Sequence, residues 1–510
     1  MTQPRTSPPR LADAPPRRGL LPLAVDLDGT LLLTDTLFEA VADRLRNRPF
    51  WTLLQLVLMP FSIAKVKARL QRGADIDTHM LPVNESVLAY CREARTEGRE
   101  IVLVSAADQS VVTSLAARFG VFDRAIGSDG VTNNKGEAKA NILRTAFPDG
   151  FEYIGDSPAD LKVWRAARVA SHVDGGDRRR RAIERMGVAV GRSFERPHAG
   201  LGAWRKAFRL HQWAKNLLIF VAPVLAMKAT DAASMTACLI ALPMLGILAS
   251  GTYILNDLLD LNADRRHHSK QMRPFASGRI KLWHGFVAAP LMIGAGLAGG
   301  AMLSIPFALT MAAYLAVTLS YSLVLKRAPL VDVMLLGLLF TLRLLMGGVL
   351  TDTPLTQWLI VFSMFLFVSL SLAKRHVEVI RKAAVGERVV ANRGYTAEDA
   401  PLTLGLGLAT ATACPVILVL YLIDSAWAAN AYAFPGAVWT GPVVLSLWLM
   451  RVWLLANRAQ LDDDPVTFAI RDPLSLALGA VLAASFALAA FGLPDVVTRA
   501  FSAVFSGQTQ

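Results

Sequence analysis

Two groups of acidic residues in this chain are spaced for work on phosphate. Asp26-Leu27-Asp28-Gly29-Thr30 stands near the start, and Asn256-Asp257-Leu258-Leu259-Asp260-Leu261-Asn262-Ala263-Asp264 closes a hydrophobic stretch. Carboxylates are hard oxygen donors that hold Mg²⁺ against phosphate oxygens. Each group therefore predicts a phosphate chemistry, the first in a soluble setting and the second at a membrane face. In the second, spacings of three and four put Asp257, Asp260 and Asp264 on one helix face, where they can converge on a cation with Asn256 adding a neutral oxygen. A helix end is a cheaper place for such charge than the bilayer centre. His268, Lys270, Arg273, Pro274, Ser277 and Gly278 follow directly, so cations stand beside the acids where a diphosphate needs them.

Asp26 has to be delivered by an element of its own. Leu21 to Val25 is a short apolar run ending at Asp26; Glu100 to Val104 ends at Ser105; Phe151 to Ile154 ends at Gly155-Asp156-Ser157-Pro158-Ala159-Asp160. Buried parallel strands present polar residues at the carboxyl edge of their sheet. Strand, polar loop and helix in repetition predict a doubly wound α/β domain. Residues 36 to 82 are expected to form a small helical cap whose apolar segment, broken by Pro60, either leans on a membrane or packs as ordinary helices.

Beyond about residue 200 the composition changes. Nine apolar stretches, starting near Leu217, Met235, Phe286, Pro306, Leu330, Trp358, Leu402, Gly441 and Ser475, approach the length that spans a bilayer. They predict an all-α polytopic membrane domain of nine transmembrane helices. Arginines and lysines crowd the loops on one side, from Arg265 to Arg471, while the opposite loops offer little beyond Lys228, so the first side is cytoplasmic. An odd number of spans then places the C-terminus outside.

The expected domains are a disordered basic tail over 1–19, the α/β domain over 20–190, a basic juxtamembrane linker over 191–212, the membrane domain over 213–495 and a tail over 496–510. The Arg/Pro-rich opening lacks the apolar core of a signal peptide. Arg178 to Arg181 and Arg205 to His211 suit an anionic leaflet or a solvated linker. A net charge of +13 over 510 residues points to anionic lipid surfaces or phosphorylated substrates, with nucleic acid the weaker reading. Cys91, Cys238 and Cys414 are scattered, which argues against a zinc site or a disulfide framework.

Asn256-Asp257-x-x-Asp260-x-x-x-Asp264 followed by Lys270-x-x-Arg273-Pro274 resembles the first Asp-rich motif of the UbiA superfamily of intramembrane prenyltransferases, and Tyr321-Ser322 with Lys326 resembles the opening of its second half. The resemblance covers roughly residues 204 to 495. In ordinary members a second Asp-rich motif completes an Mg²⁺ clamp on a prenyl diphosphate. Here Ser371-Leu372-Ala373-Lys374-Arg375-His376-Val377-Glu378 stands in that place, with two cations instead of acids. One acidic and one basic cluster can hold one phosphate through metal and another directly. This pattern, with Gln212-Trp213-Ala214-Lys215-Asn216, Leu342-Arg343 and Gly347-Gly348, is similar to the decaprenyl-phosphate phosphoribosyltransferase branch of the superfamily. That resemblance implies a phosphoribosyl diphosphate donor and a polyprenyl phosphate acceptor. Mg²⁺ on Asp257 and Asp260 would take the leaving diphosphate, and Lys374 and Arg375 would orient the lipid phosphate. Arg343 would reach the cavity from within a span, with Lys215, Lys270, Arg273, Tyr321, Lys326 and Glu378 as further substrate contacts.

The soluble part resembles the haloacid dehalogenase superfamily of phosphotransferases over residues 20 to 190. The resemblance implies that Asp26 is a nucleophile and Asp28 an acid/base, that Ser105 binds the phosphoryl group, and that Asp26, Asp28, Asp156 and Asp160 form or support an Mg²⁺ site. Lys139 is favoured as its lysine, with Lys135 in reserve. Joined, the halves imply a multi-pass inner-membrane enzyme of envelope biosynthesis with both sites cytoplasmic, membrane lipids as partners and homo-oligomerisation left open. It would make polyprenyl phosphoryl 5-phosphoribose and then remove the 5-phosphate. The rivals are an aromatic prenyltransferase acting on 4-hydroxybenzoate and a membrane-anchored phosphatase.

Overall fold

The computed structural model describes residues 19–174, 176–197, 199–384, 386, 394–427, 432–461 and 465–492. The expected basic tail, apart from Gly19, and the tail over 496–510 lie outside the described residues. The chain forms two compact units, Met1–Leu210 with Tyr253–Leu291, and His211–Thr252 with Met292–Gln510. The acidic motif around Asp257 therefore groups with the α/β domain, a division that sequential boundaries at 190 and 213 do not anticipate.

In the first unit six strands form one sheet in the order β3-β2-β1-β4-β5-β6. They are β1 (Leu23–Asp26), β2 (Ile101–Asp108), β3 (Arg124–Ser128), β4 (Glu152–Gly155), β5 (Val169–Val173) and β6 (Ala189–Phe194). Every pairing is parallel. β6 runs past residue 190, so the sheet takes in the start of the expected linker. β1 is buried along its whole length. This is why its sequence reads as an unbroken apolar run: helices cover both faces of such a sheet. Leu23, Val25, Leu103 and Leu115 belong to one buried cluster, and Ala24, Val102, Leu143 and Trp164 to another. Because β1 lies between β2 and β4, the chain reverses direction across the sheet there, and a crevice opens at the carboxyl edge. Asp26 is the last residue of β1, and Asp156 directly follows β4.

The cap is helical, built on Thr36–Asn47, Pro49–Leu58 and Ile63–Gln71. Asp35 caps the first of these by accepting from the amides of Leu37 and Phe38. Pro60 falls in the short 3₁₀ turn Met59–Phe61, where its missing N–H is harmless. Phe50, Leu53, Leu54 and Val57 stand exposed on the second cap helix.

Among the described residues eight helices are long and apolar enough to cross a membrane: Ala232–Leu259, Leu282–Leu303, Ile305–Leu323, Val331–Leu350, Gln357–Ala384, Ala397–Asp424, Pro435–Asn457 and Pro473–Phe491. They correspond to the last eight expected stretches. The first, near Leu217, folds instead as a 3₁₀ segment, Leu210–Phe220, and the short helix Val221–Leu225. Met227 just beyond takes a positive φ of 61°, and five α-helical residues are far short of a span. With eight helices rather than nine, the parity argument for an outside C-terminus lapses.

Candidate active sites

Three carboxylates meet at the carboxyl edge of the sheet. Asp26, Asp156 and Asp160 are buried and offer oxygens that all lie within 4.8 Å of one another, the only such acidic group among the described residues. Backbone geometry makes room for it. Gly29, at φ +82°, carries the turn after Asp28, and a Cβ there would sit 2.4 Å from Asp156 Oδ2. At Gly155 a Cβ would sit 2.7 Å from Asp160 Cγ.

Asp160 is fully occupied as a scaffold. Its Oδ2 accepts from the amides of Asp156 (3.2 Å) and Ser157 (2.9 Å) and from Ser157 Oγ (2.8 Å), and its Oδ1 accepts from the Tyr153 hydroxyl at 2.7 Å. Asp26 receives Lys139 Nζ at 2.6 Å, and the same ammonium donates to Tyr153 Oη at 3.0 Å. Of the two candidate lysines, Lys139 on the helix Glu137–Ala146 is buried at Asp26, whereas Lys135 is exposed. Ser105 Oγ donates to Asp28 Oδ2 at 3.2 Å, while Asp28 Oδ1 accepts the Thr36 amide at 2.7 Å. Asp28 thus stands at the junction of sheet and cap.

Burial pushes the Asp26 carboxyl up to about 8, against the pull of Lys139 and with Asp160 and Asp156 adding to the rise. Burial raises Asp26 and Asp156 alike, and a divalent cation reverses that penalty. The donor set, all hard oxygens, fits Mg²⁺.

The acids of the second motif behave differently. Asp257, Asp260 and Asp264 do not close into a group like that around Asp26; arginines bridge them instead. Asp257, 2 % exposed, accepts from Arg209 and, at 2.9 Å, from Arg273 Nη1, which also donates to Asp264 Oδ2 at 2.6 Å. Arg46, from the cap, pairs with Asp260 at 3.4 Å. The expected single helical face is interrupted, because the helix breaks at Asp260 and a separate one, Leu261–Arg266, follows. Buried carboxylates need counter-charge, and guanidinium groups supply it here. Burial still pushes the Asp264 carboxyl up to about 6, with Arg273 pulling against it. Asn256 and Lys270 are half-buried nearby in sequence. The segment is anchored to the cap by Arg265, whose two Nη atoms bind Glu39 at 2.9 and 2.6 Å with both side chains almost fully buried. Asn256, Asp257 and Asp260 carry oxygen donors of the kind Mg²⁺ takes.

In the second unit Arg343 is 4 % exposed on the helix Val331–Leu350, and its hydrogen-bond partners are all neutral: Asn216 Oδ1 (3.1 Å), Leu339 O (2.8 Å) and Tyr314 Oη (2.7 Å). Gly347 permits the Asn216 contact, since a Cβ there would fall 1.9 Å from the Ile219 carbonyl oxygen. Lys215 Nζ lies 5.7 Å from the Phe340 ring centroid, on a ring that Arg343 also faces at 5.3 Å. Burying a guanidinium among neutral partners is costly, and such a group favours an anion beside it.

Arg375 is the contrary case. It is 1 % exposed and held by Asp332 at 2.6 Å, Glu378 at 2.5 Å and, more loosely, Tyr321 at 3.4 Å. Tyr395 Oη donates to the other Asp332 oxygen at 2.8 Å. Two carboxylates, Asp332 and Glu378, neutralise Arg375 here, as a guanidinium this deep requires. Lys374 is half-buried beside it, and Lys326 is buried at 5 %.

Sequence reasoning missed Arg46, Glu39, Arg196, Arg209, Lys281, Asn216, Tyr314 and Asp332 as members of these clusters. Asp332 carried a signal, as an acid opening an apolar helix, and Asn216 stood in the Gln212–Asn216 motif without a role of its own; the rest meet their partners across long separations.

Residues 217–477 match the UbiA prenyltransferase family, and residues 23–165 match the haloacid dehalogenase-like hydrolases. The protein y4nM of Sinorhizobium fredii is 41 % identical over 470 residues, covering 92 % of this chain and 91 % of its own length. A decaprenyl-phosphate phosphoribosyltransferase from Mycolicibacterium smegmatis is 34 % identical over 188 residues, covering 36 % of this chain and 59 % of that protein. The nodulation protein NoeC of Azorhizobium caulinodans is 30 % identical over 278 residues, covering 53 % of this chain and 88 % of its own.

Proposed function

The chain belongs to the UbiA prenyltransferase family, with a haloacid dehalogenase-like hydrolase domain ahead of the family's helices, and from that premise we propose a bifunctional membrane enzyme. The helical part transfers 5-phosphoribose from phosphoribosyl diphosphate to a polyprenyl phosphate. The α/β domain removes the 5-phosphate, leaving polyprenyl phosphoryl ribose. What carries this reading is Arg343, a cation buried among neutral partners in a helical unit whose Lys374 and Arg375 stand where ordinary members place acids. The likeness to the Mycolicibacterium smegmatis phosphoribosyltransferase supports it. Both reactions are assigned to the cytoplasmic side of the inner membrane, by the charge of the loops.

In the transfer step Asp257 and Asp260, with Asn256, would hold Mg²⁺, which when bound neutralises the diphosphate as the ribose C1–O bond breaks. Arg46, Arg209 and Arg273, now on those carboxylates, turn to diphosphate oxygens, and Asp264 keeps Arg273 in place. An oxygen of the lipid phosphate attacks C1. It needs no general base, because a phosphate monoester is already anionic at neutral pH. Arg343 and Lys374 bind that phosphate, with Lys215 and Lys326 adding positive field. Arg375 acts as a positioning residue, set by Asp332, Glu378 and Tyr321.

In the hydrolytic step Asp26 attacks the phosphorus of the 5-phosphate. Asp28 gives a proton to the departing ribose oxygen, then takes one from the water that cleaves the aspartyl phosphate. Ser105 binds the moving phosphoryl oxygens, Lys139 holds Asp26 in line, and Asp26 with Asp156 would carry the metal while Asp160 supports the loop.

The reading is tested against its nearest rival by offering labelled prenyl diphosphate with 4-hydroxybenzoate to the purified full chain. No prenylated aromatic should form. Its appearance at a rate comparable to phosphoribosyl transfer would establish the ordinary family reaction instead.

A further inference from the structure

The segment that carries the second acidic motif also reaches the first catalytic crevice. Gly278, at φ +72°, brings its backbone so close to the loop after Asp28 that a Cβ would sit 2.7 Å from Leu33 Cβ. Three residues on, Lys281 donates to Asp156 Oδ2 at 3.0 Å. Arg196, two residues past the end of β6, lies against the same oxygen, its Nη1 3.9 Å away. Its Nη2 is spent on the carbonyls of Leu33 (2.5 Å) and Gly278 (3.4 Å). Nη1 is buried and has no hydrogen-bond partner, in a residue only 5 % exposed.

A buried guanidinium N–H without a partner is rare and costly. Here two cations share one carboxylate oxygen, and that carboxylate belongs to the acidic group suited to Mg²⁺. When a divalent ion takes Asp156, like charges compete for a single oxygen and the two cations are left in need of another anion. The side chain of Lys281, 40 % exposed, has the freedom to swing to one.

We propose that Arg196 and Lys281 form a second anion subsite beside the phosphoryl-transfer centre, so that the hydrolase domain selects phosphomonoesters carrying a further phosphate group. The inference rests on the proposed function in one respect: the phosphodiester of a phosphoribosylated lipid is the second phosphate that reading supplies. The selecting residue Lys281 comes from the transferase's own acidic-motif segment, which ties the specificity of the second reaction to the product of the first.

Binding of ribose 5-phosphate and ribose 1,5-bisphosphate is measured by calorimetry on the full chain in detergent with Mg²⁺. An Asp28→Asn, Asp257→Asn background silences turnover and the donor site while leaving Asp26 and Asp156 for the metal. The bisphosphate should bind about tenfold more tightly, the worth of one charge-assisted contact. Adding Lys281→Ala should remove most of that preference, and Lys281→Arg should keep it. Equal affinities in the background protein, or a preference untouched by Lys281→Ala, would overturn the proposal. Failure of the proposed function reads out separately: Asp26→Asn would then accumulate no phosphorylated lipid while the binding preference stood.

Discussion

Replacing Asp257 with Asn is expected to lower phosphoribosyl transfer about a thousandfold, equivalent to about 4 kcal/mol of transition-state stabilisation. The substitution keeps the shape of a side chain that is 2 % exposed but removes its charge. Arg209 and Arg273 lose their common carboxylate, and the proposed Mg²⁺ site would lose its most deeply set acid. Transfer of labelled phosphoribose to polyprenyl phosphate measures the effect, and hydrolysis of a simple phosphomonoester by the same preparation reports that the protein is folded. Transfer above about a tenth of the parent rate, a deficit of no more than about 1.4 kcal/mol, would mean that the metal is held elsewhere.

The second large effect is expected at Asp26. Asp26→Asn removes the proposed nucleophile, the carboxylate that Lys139 holds at 2.6 Å, so hydrolysis should fall on the order of 10⁴- to 10⁶-fold. Transfer should continue, and the lipid product should retain its 5-phosphate. An unchanged ratio of phosphorylated to dephosphorylated glycolipid would take the α/β domain out of this reaction sequence.

The placement of the candidate site of the α/β domain was largely legible in the sequence, because strand ends deliver its residues. Apolar runs ending at Asp26, at Ser105 and before Asp156 place all three on one sheet edge whatever the details of packing. Lys139 could be preferred over Lys135 only weakly from sequence, and burial at Asp26 distinguishes them. The helices were legible from apolar length alone, except near Leu217, where the apolar run is too short to span and carries Pro223. Charge pairing was not legible. That Arg375 pairs with Asp332, forty-three residues earlier, could not be read from its neighbours in sequence. Lys281 and Arg196 gave no local sign of meeting Asp156, since such contacts are fixed by tertiary packing rather than by periodicity.

Incubating the purified full chain with phosphoribosyl diphosphate, polyprenyl phosphate and Mg²⁺, then weighing the lipid products by mass spectrometry, tests the central claim most directly. The expected result is a polyprenyl phosphoryl ribose without its 5-phosphate, absent when the metal is chelated. Lipid phosphate recovered unribosylated under conditions where the same preparation consumes a prenyl diphosphate would contradict it.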